Sequence, residues 1–198
     1  MCDRTMDKKI IGVELELSNG YYRIIYGNNF AVNSDSRFLC YTENNIWHVV
    51  SNPEPKSGSD AVVVLPSDCR PELIKIKALN AGIYSSALDA GTVELDLKRC
   101  GTRFRQITAR RVIISSAYGS SEIYLTPLIG ADISCGFGSL KTVLRKNVRD
   151  YHIEAFCGAG CLEVDGIRAG RHFRSGSADG IKINVSCGLG NMSIKQEQ

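Results

Sequence analysis

The sequence has little of several residue types that mark particular functions. Its 198 residues include three His, one Trp and five Pro. The 24 basic and 21 acidic residues nearly cancel, and a net charge of +3 is too small to indicate a nucleic-acid-binding surface. No apolar run approaches the ~18–20 residues of a membrane-spanning helix, and no long stretch has a helical period. We therefore expect a soluble all-β protein with no nucleic-acid partner and no membrane span.

Sequence patterns typical of catalytic and metal sites are also missing. No Ser-His-Asp order, phosphate-binding loop or zinc-ligand spacing is present. The paired glycines follow predicted strands, whereas the glycines of a phosphate-binding loop precede a helix. Glu94 and Asp96 share one side of a strand, as do Glu163 and Asp165, but the same outer face also carries Lys and Ser. Such mixed faces usually keep a sheet soluble. We predict no catalytic residues, no metal and no cofactor, and keep a carbohydrate-active enzyme as an alternative.

The start of the sequence lacks the features of a secretory signal. Acidic and basic residues, Asp3, Arg4 and Asp7, stand where a signal peptide would have a basic start followed by an apolar run. This pattern predicts a cytoplasmic protein.

The C-terminal half repeats one phrase three times: SCGFGSL (134–140), FCGAGCL (156–162) and SCGLGNM (186–192). Apolar residues alternate with polar ones on both sides of each phrase, a pattern typical of two short strands joined by a corner. The same frame extends back to two earlier glycines, so that the predicted structural corners are Gly101, Gly119, Gly136, Gly158 and Gly188. At Gly101 the apolar parity changes by one, which requires a bulge or a different corner.

These anchor glycines are 18, 17, 22 and 30 residues apart, a period that indicates a solenoid with insertions. We predict a single-stranded parallel β-helix. A β-sandwich or barrel is the alternative, because it also has short strands and frequent turns.

Four of the eight cysteines come directly before an anchor glycine, at inward positions of the predicted coils. They are Cys100, Cys135, Cys157 and Cys187. Stacked coils would align them as a ladder of buried thiols about 4.8 Å apart, a spacing that also permits a disulfide. Ligands repeated once per coil lie along a line, which argues against a metal site.

The first 60 residues have a different pattern. Alternating apolar residues at 11–17 and 22–26 flank a Ser-Asn-Gly turn, which predicts an antiparallel hairpin. Residues 51–60, SNPEPKSGSD, have the composition of a linker. We predict an N-terminal antiparallel β cap with linker at 1–60 and solenoid repeats at 61–198, together forming one continuous structural unit.

The order of these elements resembles a known family. An opening strand pair, the strand around Trp47, an apolar strand ending in Leu65-Pro66 and then repeats with glycine corners are similar to the bacterial putative-adhesin domain of unknown function. The resemblance spans about residues 8–195 and rests on structural glycines and apolar alternation. It implies a parallel β-helix and no catalytic residues, and it gives the cell surface as an alternative location.

The longest insertion between repeats is basic. The segment GIRAGRHFRSGSADG (166–180) carries the candidate binding residues Arg168, Arg171, His172 and Arg174. A protruding basic loop suits a protein or acidic glycan partner. We therefore predict a non-enzymatic, adhesin-like binding module. The main alternative is a structural solenoid that assembles end to end, as bactofilin-like proteins do, through a last coil that the short C-terminal tail leaves open.

Overall fold

A computed structural model of the chain describes residues 10–51, 60–146 and 150–197. These residues form an all-β structure with one mixed, nearly closed, barrel-like sheet, which confirms the predicted class. The strands are β1 (Gly12–Ser18), β2 (Tyr21–Gly27), β3 (Ala31–Ser34), β4 (Phe38–Glu43), β5 (Ile46–Ser51), β6 (Ala61–Pro66), β7 (Leu73–Leu79), β8 (Gly82–Ser85), β9 (Leu88–Lys98), β10 (Cys100–Leu144), β11 (Tyr151–Val164), β12 (Ile167–Arg168), β13 (His172–Ser175) and β14 (Ile181–Gln196). No helix with the length and apolar character of a membrane span occurs in these ranges.

Parallel pairing between chain segments dominates the sheet. One row runs β5, β1, β7, β9 and then residues 107–116 of β10. A second row runs β6, β2, β8 and then residues 101–104 of β10. Each strand thus pairs with its equivalent in the neighbouring coil, because the alternating apolar residues can be buried only on one shared inner side.

The predicted hairpin of β1 and β2 is wrong. Both strands pair in parallel with other segments, and the Ser18-Asn19-Gly20 turn forms a corner between the two rows. The amide of Asn19 donates a 3.0 Å hydrogen bond to the carbonyl of Leu79 in the next coil. The turn is therefore hydrogen-bonded to the end of β7, whereas a hairpin turn would be hydrogen-bonded within its own two strands.

Antiparallel pairs do occur within the predicted N-terminal section, although β1 and β2 do not form one of them. β5 lies beside β1 and pairs with β4 in antiparallel fashion. In the same way, β6 lies beside β2 and pairs with β3 in antiparallel fashion. Asn44 and Asn45, with φ of 50° and 62°, form the tight turn between β4 and β5. The predicted linker lies mainly at residues 52–59, outside the described residues.

The C-terminal end departs from chain order. β14 pairs with β10 on one side and with β11 on the other, so the last strand in sequence lies inside the sheet. β11 is the outer coil, and β12 and β13 pair with it in antiparallel fashion. The expectation that the last repeat in sequence leaves an open coil is wrong, because the insertion returns the chain to a position between the two preceding segments.

One continuous apolar core fills the interior. Val13, Ile76, Leu95 and Ile114 are completely or almost completely buried, as is the large ring of Phe104. Inward and outward residues alternate along most of β10, as in β9 before it. The cluster spans the rows from end to end, so the strands of the two rows stabilise each other through shared apolar burial.

The chain turns at two types of corner. The type changes between Arg99 and Gly119, close to Gly101, where the change in apolar parity predicts a bulge or a different corner. In the first coils the left-handed residue is Asn19, Asn80 or Arg99, with φ between 51° and 56°. In the later coils it is a glycine, and these left-handed positions are Gly119, Gly138, Gly160 and Gly190, with φ between 125° and 147°. In the repeated phrase the left-handed residue is thus the second glycine, two residues after each predicted anchor.

Candidate functional site

The predicted basic loop folds back onto the protein as an end cap. Glu163 lies opposite Arg168 in the β11–β12 pair, and Glu154 lies opposite Arg174 in the β11–β13 pair. The ring of Phe173, which lies between basic residues in sequence, packs against the core. The insertion is therefore part of the sheet, and its basic side chains line the outer surface of the cap.

The four candidate binding residues of this cap are all exposed, and the structure brings them to one end of the molecule. They are Arg168, Arg171, His172 and Arg174. His172 Nε2 lies 3.7 Å from the Glu154 carboxylate. The three arginines make no ion pair with a described residue, so the end cap presents positive charge to solvent.

The four candidate cysteines are all buried, but only three are in register. Cys187 lies between Cys135 in β10 and Cys157 in β11, and we call these three residues the thiol column. Cys100 is buried at a different level, where its carbonyl oxygen faces Gly119. Burial raises the pKa of Cys187 to about 12, with the two flanking thiols adding to the shift. The cysteines of the described residues are free thiols.

We predict that the native protein hides these four cysteines from thiol reagents. Cys100, Cys135, Cys157 and Cys187 are at most 3% exposed, and the thiolate is the reactive form. Ellman's reagent should modify them only after denaturation, while the half-buried Cys40, Cys69 and Cys161 should react sooner. Rapid native modification of Cys187, located by mass spectrometry, would contradict the buried column.

The carboxylates considered for catalysis are engaged in pairs. Glu94 lies 3.5 Å from Lys75, and Asp96 lies 3.6 Å from Lys98. Glu163 pairs with Lys195 at 2.9 Å, and Asp165 accepts a hydrogen bond from the amide of Gln196. Among the described residues, no group of three His, Cys, Asp or Glu side chains is placed to hold a metal ion.

A broad groove lies on the outer surface of the second row, across β3, β6, β2, β8 and the start of β10. Its volume is about 1460 Å³, larger than the ~300–1,000 Å³ usual for a small-molecule pocket. Its lining includes aromatic, charged and polar residues and two glycines: Tyr21, Arg23, Asn33, Asp35, Asp60, Gly82, Tyr84, Gly101, Arg103, Ser120 and Glu122. We refer to it as the Tyr21 groove.

Two glycines shape the floor of the Tyr21 groove. Tyr21, Gly82 and Gly101 occupy the same position in three consecutive parallel strands. The Tyr21 ring lies over Gly82, at the place a side chain there would fill, yet it is 75% exposed. At Gly101 no atom lies within 4 Å of where a Cβ would be. An exposed aromatic ring thus stands beside an open gap in the sheet surface.

Polar and charged side chains border this floor, two residues further along the same three strands. Arg23, Tyr84 and Arg103 follow one another across β2, β8 and β10. Arg103 pairs with Glu122 at 3.0 Å, and Lys141 pairs with the same carboxylate at 2.6 Å. The hydrogen bond from Lys141 lowers the pKa of Glu122, helped by the charge of Arg103. Asp60 accepts a 3.0 Å hydrogen bond from the Tyr21 amide at the rim.

Reasoning from the sequence missed the Tyr21 groove. Tyr21 and Gly82 are 61 residues apart, and Gly101 is 19 further on, so no local motif contains them. The only signal was Gly101 itself, which we interpreted as a corner. Its φ is not left-handed and space is free around it, so neither conformation nor packing requires a glycine there.

No protein-family model matches the sequence, and no curated protein matches it either. Two solved structures are similar in overall form. A putative cell adhesion protein from Clostridium sporogenes has 14% sequence identity and a TM-score of 0.45, with 96% of this chain and 94% of that chain covered. A putative adhesin from Bacteroides fragilis has 10% identity and a TM-score of 0.37, with 96% and 93% covered. At such values a structural likeness does not assign a function.

Proposed function

We propose that this protein is a non-enzymatic, adhesin-like binding module, built as a single-stranded parallel β-helix with an antiparallel N-terminal part, and that it binds its ligand in the Tyr21 groove. One observation carries the proposal: an exposed tyrosine stands beside an open floor in a broad concavity of the described surface. Residues 1–60 and 61–198 belong to one continuous unit in this proposal.

The parallel register between coils supports the β-helix. Equivalent residues face each other through long parallel segments, as in Ile107 opposite Leu88 and Gly138 opposite Gly190. The antiparallel pairs are confined to the two ends, at β3 and β4 and at β12 and β13. In this arrangement the coils supply a stiff support, and the groove lies across them.

The character of the groove supports binding over catalysis. Binding sites combine aromatic surface with a few fixed polar groups, and Tyr21 and Tyr84 with their charged neighbours provide both. Catalysis of glycoside cleavage needs two carboxyl groups held across one bond, one of them protonated. Glu122 is held ionised by Lys141 and Arg103, which is unsuitable for a general acid.

The two capped ends weigh against end-to-end assembly. Antiparallel strands cover the outer coils, and twisted or covered edges are how sheet proteins avoid pairing with copies of themselves. In size-exclusion chromatography with light scattering, we expect a mass that does not grow with concentration.

The proposal predicts a ligand-dependent rise in melting temperature that the groove controls. A panel of neutral oligosaccharides, acidic oligosaccharides, short peptides and nucleotides would be screened against wild type and Gly101→Leu. The new side chain enters open space at an ordinary φ, so it should fill the gap and leave the fold intact. A ligand at 100 times its Kd stabilises by about 2.7 kcal/mol, which amounts to several degrees.

Two outcomes would count against the groove. One is that no class stabilises wild type, and the other is that Gly101→Leu is stabilised as much as wild type. A variant with Arg168, Arg171 and Arg174 changed to Ala serves as the matched control on the end cap. Stabilisation by acidic oligosaccharides that disappears only in this variant would place binding on the basic cap.

The location of the protein remains a prediction. The cytoplasm and, from the family resemblance, the cell surface are the two predicted locations. A binding module with a broad open groove suits the second location, where extended ligands are accessible.

A further inference from the structure

We propose that the ligand of the Tyr21 groove is a neutral oligosaccharide lying across the strands, with one sugar ring stacked against Tyr21 and the next lying in the gap above Gly101. This inference rests on the proposed function, since it names the ligand class of that same groove.

The dimensions of the groove favour a chain of several units. Its lining extends from β6 through β2 and β8 to residues 101–103 and 120–122 of β10. Consecutive strands lie about 4.8 Å apart, so the four intervals give a length of roughly 19 Å. A single sugar or a nucleotide would leave most of this length empty.

The composition of the floor fits the two chemically different sides of a sugar ring. A pyranose has C–H groups on its faces and hydroxyl groups around its edge. The exposed ring of Tyr21 offers an apolar face. Asn33, Arg23 and Ser120 offer donors and acceptors at the border, where hydroxyl groups of a stacked sugar would lie.

The charge of the lining argues against an acidic ligand. Two arginines, Arg23 and Arg103, stand against three carboxylates, Asp35, Asp60 and Glu122, which gives a formal charge of −1. Arg103 is already paired with Glu122. A polyanion would be repelled by these carboxylates, and Arg23 is the one arginine of this lining outside the Arg103–Glu122 pair. The acidic glycan predicted from the sequence therefore fits the end cap better than this groove.

Two other ligand classes fit the groove less well. A purely apolar ligand would remove charged side chains from water without pairing them, which is costly. An extended peptide that adds a strand needs a free sheet edge. The floor strands β2 and β8 have parallel partners on both sides, so they offer no such edge.

The test is isothermal titration of the full chain with neutral hexasaccharides of glucose, mannose and N-acetylglucosamine, and with oligogalacturonate as the acidic probe. We expect at least one neutral hexasaccharide to bind. Tyr21→Ala should weaken that binding about tenfold because the stacking surface is lost, and Gly101→Leu should abolish it. Tyr118→Ala is the matched control, since Tyr118 is also an exposed tyrosine but lies against Phe137, away from the groove; its affinity should equal that of wild type.

The possible failures are distinguishable. Binding of oligogalacturonate, a peptide or a nucleotide that Gly101→Leu abolishes would overturn the saccharide and keep the groove as the binding site. Neutral hexasaccharide binding that is unchanged in both Tyr21→Ala and Gly101→Leu would overturn the inference and the proposed groove together. Circular dichroism of each variant shows whether a loss of binding comes from unfolding, and Tyr21→Phe, which keeps the ring, should bind as wild type does.

Discussion

Replacing Gly138 with alanine is expected to lower the free energy of unfolding by about 3 kcal/mol. Gly138 has a φ of +128°, and a Cβ built on it would collide with the carbonyl oxygen of Gly119 in the preceding coil. Backbone strain of this kind alone costs about 1–3 kcal/mol, and the collision adds to it because backbone atoms cannot move aside. Urea unfolding followed by circular dichroism would measure the change.

Gly101→Ala is the matched control for this prediction. Gly101 lies two residues after the left-handed Arg99, has no left-handed φ itself, and has open space where its Cβ would be. We expect its free energy of unfolding to lie within about 0.5 kcal/mol of wild type. Equal stability of Gly138→Ala and Gly101→Ala would show that a glycine is not structurally required at the left-handed position 138.

Alkaline pH is expected to destabilise the protein through the thiol column. Cys187 has its pKa raised from 9.0 to about 12 by burial, so between these values the folded state keeps a proton that the unfolded state loses. Because the unfolded state then binds fewer protons, the free energy of unfolding falls as pH rises, and full stability is present only below pH 9. Two pH units at 1.36 kcal/mol each remove about 3 kcal/mol by pH 11.

Denaturant unfolding at pH 8 and pH 11 under reducing conditions measures this loss. Cys100 and Cys135 also have raised pKa values because they are buried, and so do Tyr22, Tyr26 and Tyr151. The variant Cys187→Ala separates the contribution of the column: its own loss between the two pH values should be smaller than that of wild type. An identical loss in both proteins would refute the assignment to Cys187.

The sequence contained enough information for the all-β fold class. Alternation fixed which side of each strand is buried, and Val112, Ile114, Ile123 and Leu125 are all buried as their positions predict. The repeated phrase predicts turns near Gly136, Gly158 and Gly188, but it could not decide which of the two glycines in each copy is left-handed. That depends on contact with the carbonyl of the neighbouring coil, as at Gly138, and sequence spacing does not contain that contact.

The arrangement in space was harder to predict for a physical reason. β10, β11 and β14 carry nearly the same phrase, so any of them can pair with any other, and the order along the chain was the natural choice. The insertion before β14 allows a different order, in which Cys187 is flanked by Cys135 and Cys157. Likewise, a Ser-Asn-Gly turn permits both a hairpin and a corner, and only the partners of β1 and β2 decide between them.

The proposed binding surface was the least predictable part. Charge drew attention to Arg168, Arg171 and Arg174, which are indeed exposed but form a cap paired to β11. The groove instead depends on Tyr21 leaning over a glycine that is distant in sequence. A side-chain direction of that kind follows from the register between coils, so it becomes visible only once the register is known.

The interior position of β14 limits how the protein is made and how it can change. Because β14 fits between β10 and β11, the edges of these two strands that face it stay unpaired until residues 181–196 have been synthesised, so this part of the sheet forms last. Deleting these last residues would open a gap within the sheet, where a simple stack would only become shorter.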